Sequence, residues 1–252
     1  MEFLASPEIL GLLFLVAIFA GCIDTIAGGG GLITVPTLLA VGLPPAAALA
    51  TNKLQGSFGT LTASVAFIRR GEIDLGAFWP FILATLVGAA LGTVGVRMID
   101  ASALAELIPV LLIGVALYVL LSPRAGDLEA HQRVSFAFFI GAVAPVIGAY
   151  DGFFGPGTGS FFAIGFVALL GFSLRRATAH AKVLNFTSNV TSLAVFVSGG
   201  HVIWLVGGVM AAGALVGAQI GAHLVVRVGA RIVRPVLVVV SVSMALKLLI
   251  WG

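Results

Sequence analysis

The chain reads as an all-α polytopic membrane protein, with two inverted-topology repeats of about five apolar helices each and with glycine-broken or re-entrant helices. Three observations predict this. Of 252 residues, 60% are hydrophobic and 9% charged, and mean hydropathy is +1.18; a soluble domain carries roughly 25% charged residues. Apolar runs recur along the whole length, most of them near the roughly 20 residues that cross a bilayer. Two glycine clusters interrupt the runs at matching places, each just after a lone aspartate: Gly28-Gly29-Gly30-Gly31 after Asp24, and Gly155-Pro156-Gly157-Thr158-Gly159 after Asp151.

The first repeat, residues 1–121, holds runs at 9–27, 31–42, 46–68, 75–96 and 103–121. A polar stretch, 122–133, reads as a cytoplasmic linker. The second repeat, residues 134–252, holds runs at 134–151, 159–171, 177–198, 202–226 and 233–251. The second and seventh runs are too short to cross comfortably. They are either short or tilted spans or half-helices of re-entrant hairpins, and the sequence leaves both open. Glu2 and Glu8 stand where a cleaved signal would carry positive charge, so the first run is expected to stay. The single cysteine, Cys22, excludes an intramolecular disulfide and a cysteine metal site.

The halves match in order. Asp24 aligns with Asp151, and the glycine clusters follow. Ala50-Thr51-Asn52-Lys53-Leu54 aligns with Ala179-His180-Ala181-Lys182-Val183, and Gly88/Gly92 align with Gly217/Gly221. An odd number of crossings per half, whether five or three, predicts inverted halves. Loop charges agree: Arg69-Arg70 is basic where its counterpart Ser198-Gly199-Gly200 is not, and Leu43-Pro44-Pro45 is neutral where Leu174-Arg175-Arg176 is basic. With both termini extracytoplasmic, Arg69, Arg70, Arg124, Arg133, Arg175, Arg176, Arg227, Arg231 and Arg234 fall inside and Arg97 alone falls in an outside loop. Lys53, Lys182 and Lys247 lie within apolar runs. The net charge of +3 is thus spent on membrane orientation, and no nucleic-acid partner is expected.

Asp24 and Asp151 are the acids deepest in apolar sequence, and an intramembrane charge is a functional candidate. Coupling work is one reading. Structural pairing, Asp24 with Lys53 and Asp151 with Lys182, is the other. The lysines sit shallow enough to snorkel, yet their matched places near the glycine breaks point to an anion site. A half-helix starting after Gly31 or Pro156 aims free N–H groups and a positive dipole end into the break. Unwound backbone persists in lipid only where protein or a polar cavity covers it. Thr51, Asn52, Gln55, Ser57 and Thr60, with His180, Asn185, Thr187, Ser188, Asn189 and Thr191, read as the lining of a pathway. The glycine pairs Gly88/Gly92 and Gly217/Gly221 read as helix-packing faces. No Lys-Ser or Lys-Thr follows the glycines, so they are not a nucleotide loop.

These motifs resemble the TauE/SafE (TSUP) family of sulfite-exporter-like transporters, in its YfcA-like branch of membrane transporters. The residues that carry the resemblance are Asp24-x-Ile26-Ala-Gly-Gly-Gly-Gly-Leu with Ala50-Thr-Asn-Lys53-Leu, and Tyr150-Asp-Gly-Phe-Phe-Gly-Pro-Gly-Thr-Gly-Ser with Ala179-His-x-Lys182-x-Leu-Asn-Phe-Thr-Ser-Asn189. The resemblance covers almost the whole chain. It implies secondary transport of sulfite, an organosulfonate such as sulfoacetate, or a related carboxylate across the bacterial inner membrane, outward and proton-coupled. A passive anion channel is the alternative; accumulation against a gradient separates the two. The expected substrate-binding residues are Gly28, Gly29, Gly30, Gly31, Asn52, Lys53, Gly155, Gly157, Thr158, Lys182, Asn185 and Asn189, with Asp24, Asp151 and His180 as coupling groups. No enzyme activity, cofactor or metal is expected. The expected partners are a small anion and the lipid bilayer, and a homo-oligomer is allowed.

Overall fold

The structure, a computed structural model, describes residues 3–121 and 131–224. Among these residues the chain is helical throughout, without a strand. α1 (Pro7–Ala27) starts on Ser6, whose hydroxyl accepts the Ile9 N–H, and on Pro7, which loses no donor at a first helical position. α2 (Gly31–Ala40), α3 (Pro45–Arg69), α4 (Leu75–Arg97) and α5 (Ala101–Leu121) follow. The second half runs α6 (Phe136–Phe153), α7 (Thr158–Leu170), α8 (Leu174–Ser198) and α9 (Trp204–Leu224). Inside α6 one wide π turn, Phe139–Val143, precedes Pro145. The pyrrolidine ring lacks an N–H and crowds the carbonyl four residues back, and the widened turn relieves that clash.

α1, α4, α5, α6 and α9 are long and apolar enough to cross a membrane. α2 and α7, at 10 and 13 residues, reach only about 15 and 20 Å. Each folds back on its predecessor. The N–H groups of Arg133 and Val134, just before α6, both donate to Leu169 O at the end of α7, and Phe139 stacks on Phe166 at 4.8 Å. Leu38 and Leu43, at and after the end of α2, share a buried cluster with Leu13 and Ala17 of α1. The two short runs are therefore the return arms of helical hairpins bent at the glycine clusters.

α3 and α8, 25 residues each, carry the polar positions and bury most of them, while the apolar helices face outward. Close backbone contacts join the halves. A Cβ at Gly88 or Gly92 on α4 would collide with the carbonyl oxygens of Pro145 and Ala149 on α6. On α9, Gly217 and Gly221 meet the carbonyls of Ile18 and Cys22 on α1 in the same way. The glycine pairs are packing faces, and each hairpin is clasped by a helix of the other half.

The end of α3 lies beside the start of α8, where Arg175 pairs with Glu72. Arg70 reaches Ala222 O from the same end at 3.4 Å. At the opposite end Arg97 donates to Val195 O at 3.0 Å. Trp79 and Trp204, near the starts of α4 and α9, are exposed, as suits interfacial tryptophans. Run 233–251 lies outside the described residues, with Arg124, Arg227, Arg231, Arg234, Lys247 and Trp251. So does most of the linker.

Candidate functional site

The hairpin tips meet. α1 ends on Gly28, whose φ of 78° is left-handed, and α7 is preceded by Gly157 at φ 85°. Only glycine takes such angles without strain. The tips also touch: a Cβ on Gly28 would lie against the Gly159 backbone, and one on Gly31 would be 3.0 Å from Pro156 Cα. Ser160 donates from one tip to Ala27 O of the other. The glycines thus bend the chain and let the two breaks approach each other.

The buried charges cross between the halves. Lys53 Nζ on α3 is 2.7 Å from Asp151 Oδ1 on α6, and Lys182 Nζ on α8 is 2.9 Å from Asp24 Oδ2 on α1. The pairing expected within each half, Asp24 with Lys53 and Asp151 with Lys182, does not form. The lysines do not snorkel either, since each is 1% exposed. Each ammonium also donates to the main-chain carbonyl of its aspartate, Asp151 O or Asp24 O. That carbonyl belongs to the last turn of a broken helix, where a cation offsets the negative dipole end; Asp24 O also accepts the Gly28 N–H at 2.7 Å. Each lysine therefore offsets an acid and a helix C-terminus of the other half. Asp151 accepts further bonds from the Thr158 hydroxyl at 3.0 Å and from Ser188. Asp24 accepts the Gly30 N–H at 3.1 Å.

Between the tips and the central helices lies a cavity of about 30 Å³, room for a water molecule or two. From the expected site residues it collects Gly28, Gly30, Gly31 and Asn52 in the first half, and Gly155, Gly157, Thr158, Asn185 and Asn189 in the second. Asp24 and Asp151 are on its wall too. Asn185 and Asn189 share one face of α8, and Asn189 donates to Asn185 O at 2.8 Å. Gly29 sits at the tip without lining the cavity, its carbonyl accepting from Leu32 N–H at 3.0 Å.

The structure separates some expected partners. Lys53 and Lys182 stand behind their aspartates, off the described wall. His180 is not at the cavity. It packs edge-on to Phe78 and Phe172, with ring centroids 4.8 and 5.2 Å away, in a second pocket near the Glu72 end. It precedes Lys182 by two positions, about 200° around a helix, and so faces away. Gln55 and Thr60, read from sequence as pathway lining and not as binding residues, do reach the cavity. Gly21, Gly56 and Gly59 line it with no signal beyond their small size. On α3, Asn52, Gln55 and Gly59 fall at i, i+3 and i+7, a single helix face that periodicity alone would have shown.

The comparisons with known proteins agree with one another. The family described as "Sulfite exporter TauE/SafE" matches residues 13–248. A "Probable membrane transporter protein" of Haemophilus influenzae is 46% identical over 241 residues, 96% of this chain and 94% of the relative. The "Probable membrane transporter protein YfcA" of Escherichia coli K12 is 47% identical over 247 residues, 98% and 92% of the two chains. A more distant relative, the "Probable membrane transporter protein YunE" of Bacillus subtilis, is 24% identical over 84% of this chain and 86% of its own length. No solved structure gives a significant match. With a family match running from the first helix almost to the last residue, this multi-pass membrane protein belongs to the sulfite exporter TauE/SafE family.

Proposed function

We propose that the protein is a secondary transporter that carries a small anion out of the cytoplasm across the bacterial inner membrane, coupled to protons. The substrate class is sulfite, an organosulfonate such as sulfoacetate, or a related carboxylate. One observation carries the reading: two glycine-broken hairpin tips close on a cavity walled by carboxamides, glycine backbone and two ion-paired acids. A small anion leaving water loses its hydration and must be repaid in hydrogen bonds. Carboxamide N–H groups and the N-terminal ends of α2 and α7 supply donors suited to that task.

The ion pairs supply the coupling. With both aspartates charged, each lysine is compensated and the site is close to neutral. A proton on Asp24 leaves the Lys182 charge uncompensated, which draws an anion toward the cavity. By linkage, a bound anion raises the affinity for that proton equally. A dianion accompanied by one proton leaves as a net negative charge. That movement is downhill in a cell negative inside, by about 2.3 kcal/mol per charge per 100 mV. Opening the tips alternately to the two sides requires the halves to move against each other. Inverted repeats give this motion in other carriers, and the recurrence of the same contacts at matched positions supports the inverted arrangement. The gathering of Arg69, Arg70, Arg175 and Arg176 at one end of the molecule supports placing that end in the cytoplasm.

The test is flux in proteoliposomes holding the purified full-length chain. Internal sulfite, sulfoacetate, thiosulfate or acetate is expected to leave faster than from protein-free vesicles, and an imposed proton gradient is expected to accumulate the substrate. Dissipation without accumulation would establish the channel reading instead.

A further inference from the structure

We infer that Gln55 is a substrate-contacting, specificity-determining residue of the central cavity. This rests on the anion-transport reading above. Gln55 lies on α3 and is 5% exposed. It lines the cavity, and among the described residues its side chain has no hydrogen-bond partner. Neither of its polar atoms is sealed inside protein, so the carboxamide opens onto the cavity itself.

The other carboxamides on the wall differ. Asn52 Oδ1 accepts the Thr34 hydroxyl at 2.6 Å, and Asn189 Nδ2 donates to Asn185 Oδ1 at 3.1 Å. Those groups are held by the protein at one end. Gln55 is held at neither, which is an unfavourable way to bury an amide unless a ligand or water completes it. Its donors suit an oxyanion, and nothing in the protein competes for them.

The position also has no twin. By the alignment of Lys53 with Lys182, the residue matched to Gln55 is Leu184, fully buried and apolar. The backbone breaks and the acids are duplicated, whereas this contact is not. Leu184 does not line the cavity, so a ligand there meets an amide from the first half with no counterpart from the second, and that difference fixes its orientation.

Thermal melting of the purified full chain in detergent tests the assignment, with sodium sulfite, sulfoacetate and acetate as probes. Gln55→Met keeps the shape and removes the amide. It is expected to melt at or above the parent temperature without ligand, because an unpartnered buried group has gone. Its apparent affinity for the stabilising anion should fall about ten-fold or more. Gln55→Glu should lose the anion response altogether, since a carboxylate repels it. If Gln55→Met melts several degrees lower without ligand, the amide is a structural bond and the assignment is overturned. If Gln55→Met folds and responds to the anion as the parent does, the assignment fails while the transport reading stands. A parent that responds to none of the three anions overturns both.

Discussion

Two buried lysine–aspartate pairs hold this molecule together, and their surroundings set them apart. The Asp151 side chain is 2% exposed and accepts from Lys53, Thr158 and Ser188. The Asp24 side chain is 19% exposed and accepts from Lys182 and the Gly30 N–H. The sequence supplies the reason. The positions matched to Thr158 and Ser188 are Gly31 and Gly59, which carry no hydroxyl. Both acids touch the cavity. Asp151 is wrapped in donors and almost fully covered, whereas Asp24 has fewer donors and is more open. A proton arriving at Asp151 must displace more hydrogen bonds, in a place far less open to water. The same kind of ion pair thus serves as a fixed joint in one half and, on the proposed cycle, as the coupling group in the other.

The strongest way to break this comparison is to orphan each acid. Lys53→Met leaves Asp151 charged, unpaired and almost fully buried, a loss expected at about 3–5 kcal/mol. Folded yield on size-exclusion chromatography and the melting temperature in detergent should both drop sharply. Lys182→Met should lose about half as much, because the Asp24 side chain is more open and better solvated than that of Asp151. The double variant Lys53→Met/Asp151→Leu should recover most of the loss, since removing a buried pair together is far milder than removing one partner. Equal losses from the two lysine variants would mean that the difference in exposure carries no energetic weight.

A milder contrast separates function from folding. Asp24→Asn orphans the buried Lys182, so folded yield should fall, and the protein that folds should lose the pH dependence of sulfite flux. In the parent, flux should rise as pH falls, because the protonated acid frees Lys182. Asp151→Asn should chiefly lose folded protein, and whatever folds should keep the parent's pH profile. Flux across a pH series in proteoliposomes, normalised to reconstituted protein, reads both. A flat profile in Asp151→Asn with an unchanged one in Asp24→Asn would reverse the assignment.

Much of this arrangement was legible in the residues. Hydropathy and length marked the helices, and the glycine clusters marked the bends, because four glycines in a row deny a helix whatever surrounds them. The two acids and two lysines were legible as a constellation. Their partners were not. An alignment of two halves says which positions correspond, but not whether a lysine reaches the acid of its own half or of the other. That is fixed only when the hairpin tips meet. The hairpins were undecided for a similar reason: a run of 10–13 residues has the same composition whether it continues across or turns back, and the Leu169 carbonyl that ties α7 to Val134 is a tertiary contact. His180 was misleading because it stands near Lys182 in sequence yet on the opposite face of α8. Gln55 was visible as polar, but its lack of a partner is a property of the assembled cavity.

The smallest expected effect is also the sharpest test of why the two acids differ. If hydroxyls fix Asp151, supplying one to Asp24 should make it behave similarly. Gly59 is the place to do so, being the match of Ser188 on the neighbouring central helix. A Cβ there would stand 3.4 Å from Ala214 Cβ, an ordinary contact. Gly59 and Asp24 line the same cavity, so the added hydroxyl acts on the carboxylate through a cavity water, and a hydrogen bond donated to that carboxylate favours its charged form. A charge-assisted bond worth about 1.5 kcal/mol moves a protonation equilibrium about ten-fold. The flux profile of Gly59→Ser should therefore shift to lower pH by about one unit, with melting temperature at or slightly above the parent's. The reciprocal change, Ser188→Ala, should lower the melting temperature modestly and leave the flux profile alone, since Asp151 keeps Lys53 and Thr158. A well-folded Gly59→Ser with the parent's profile would sink the hydroxyl account, leaving water access alone to distinguish the two acids.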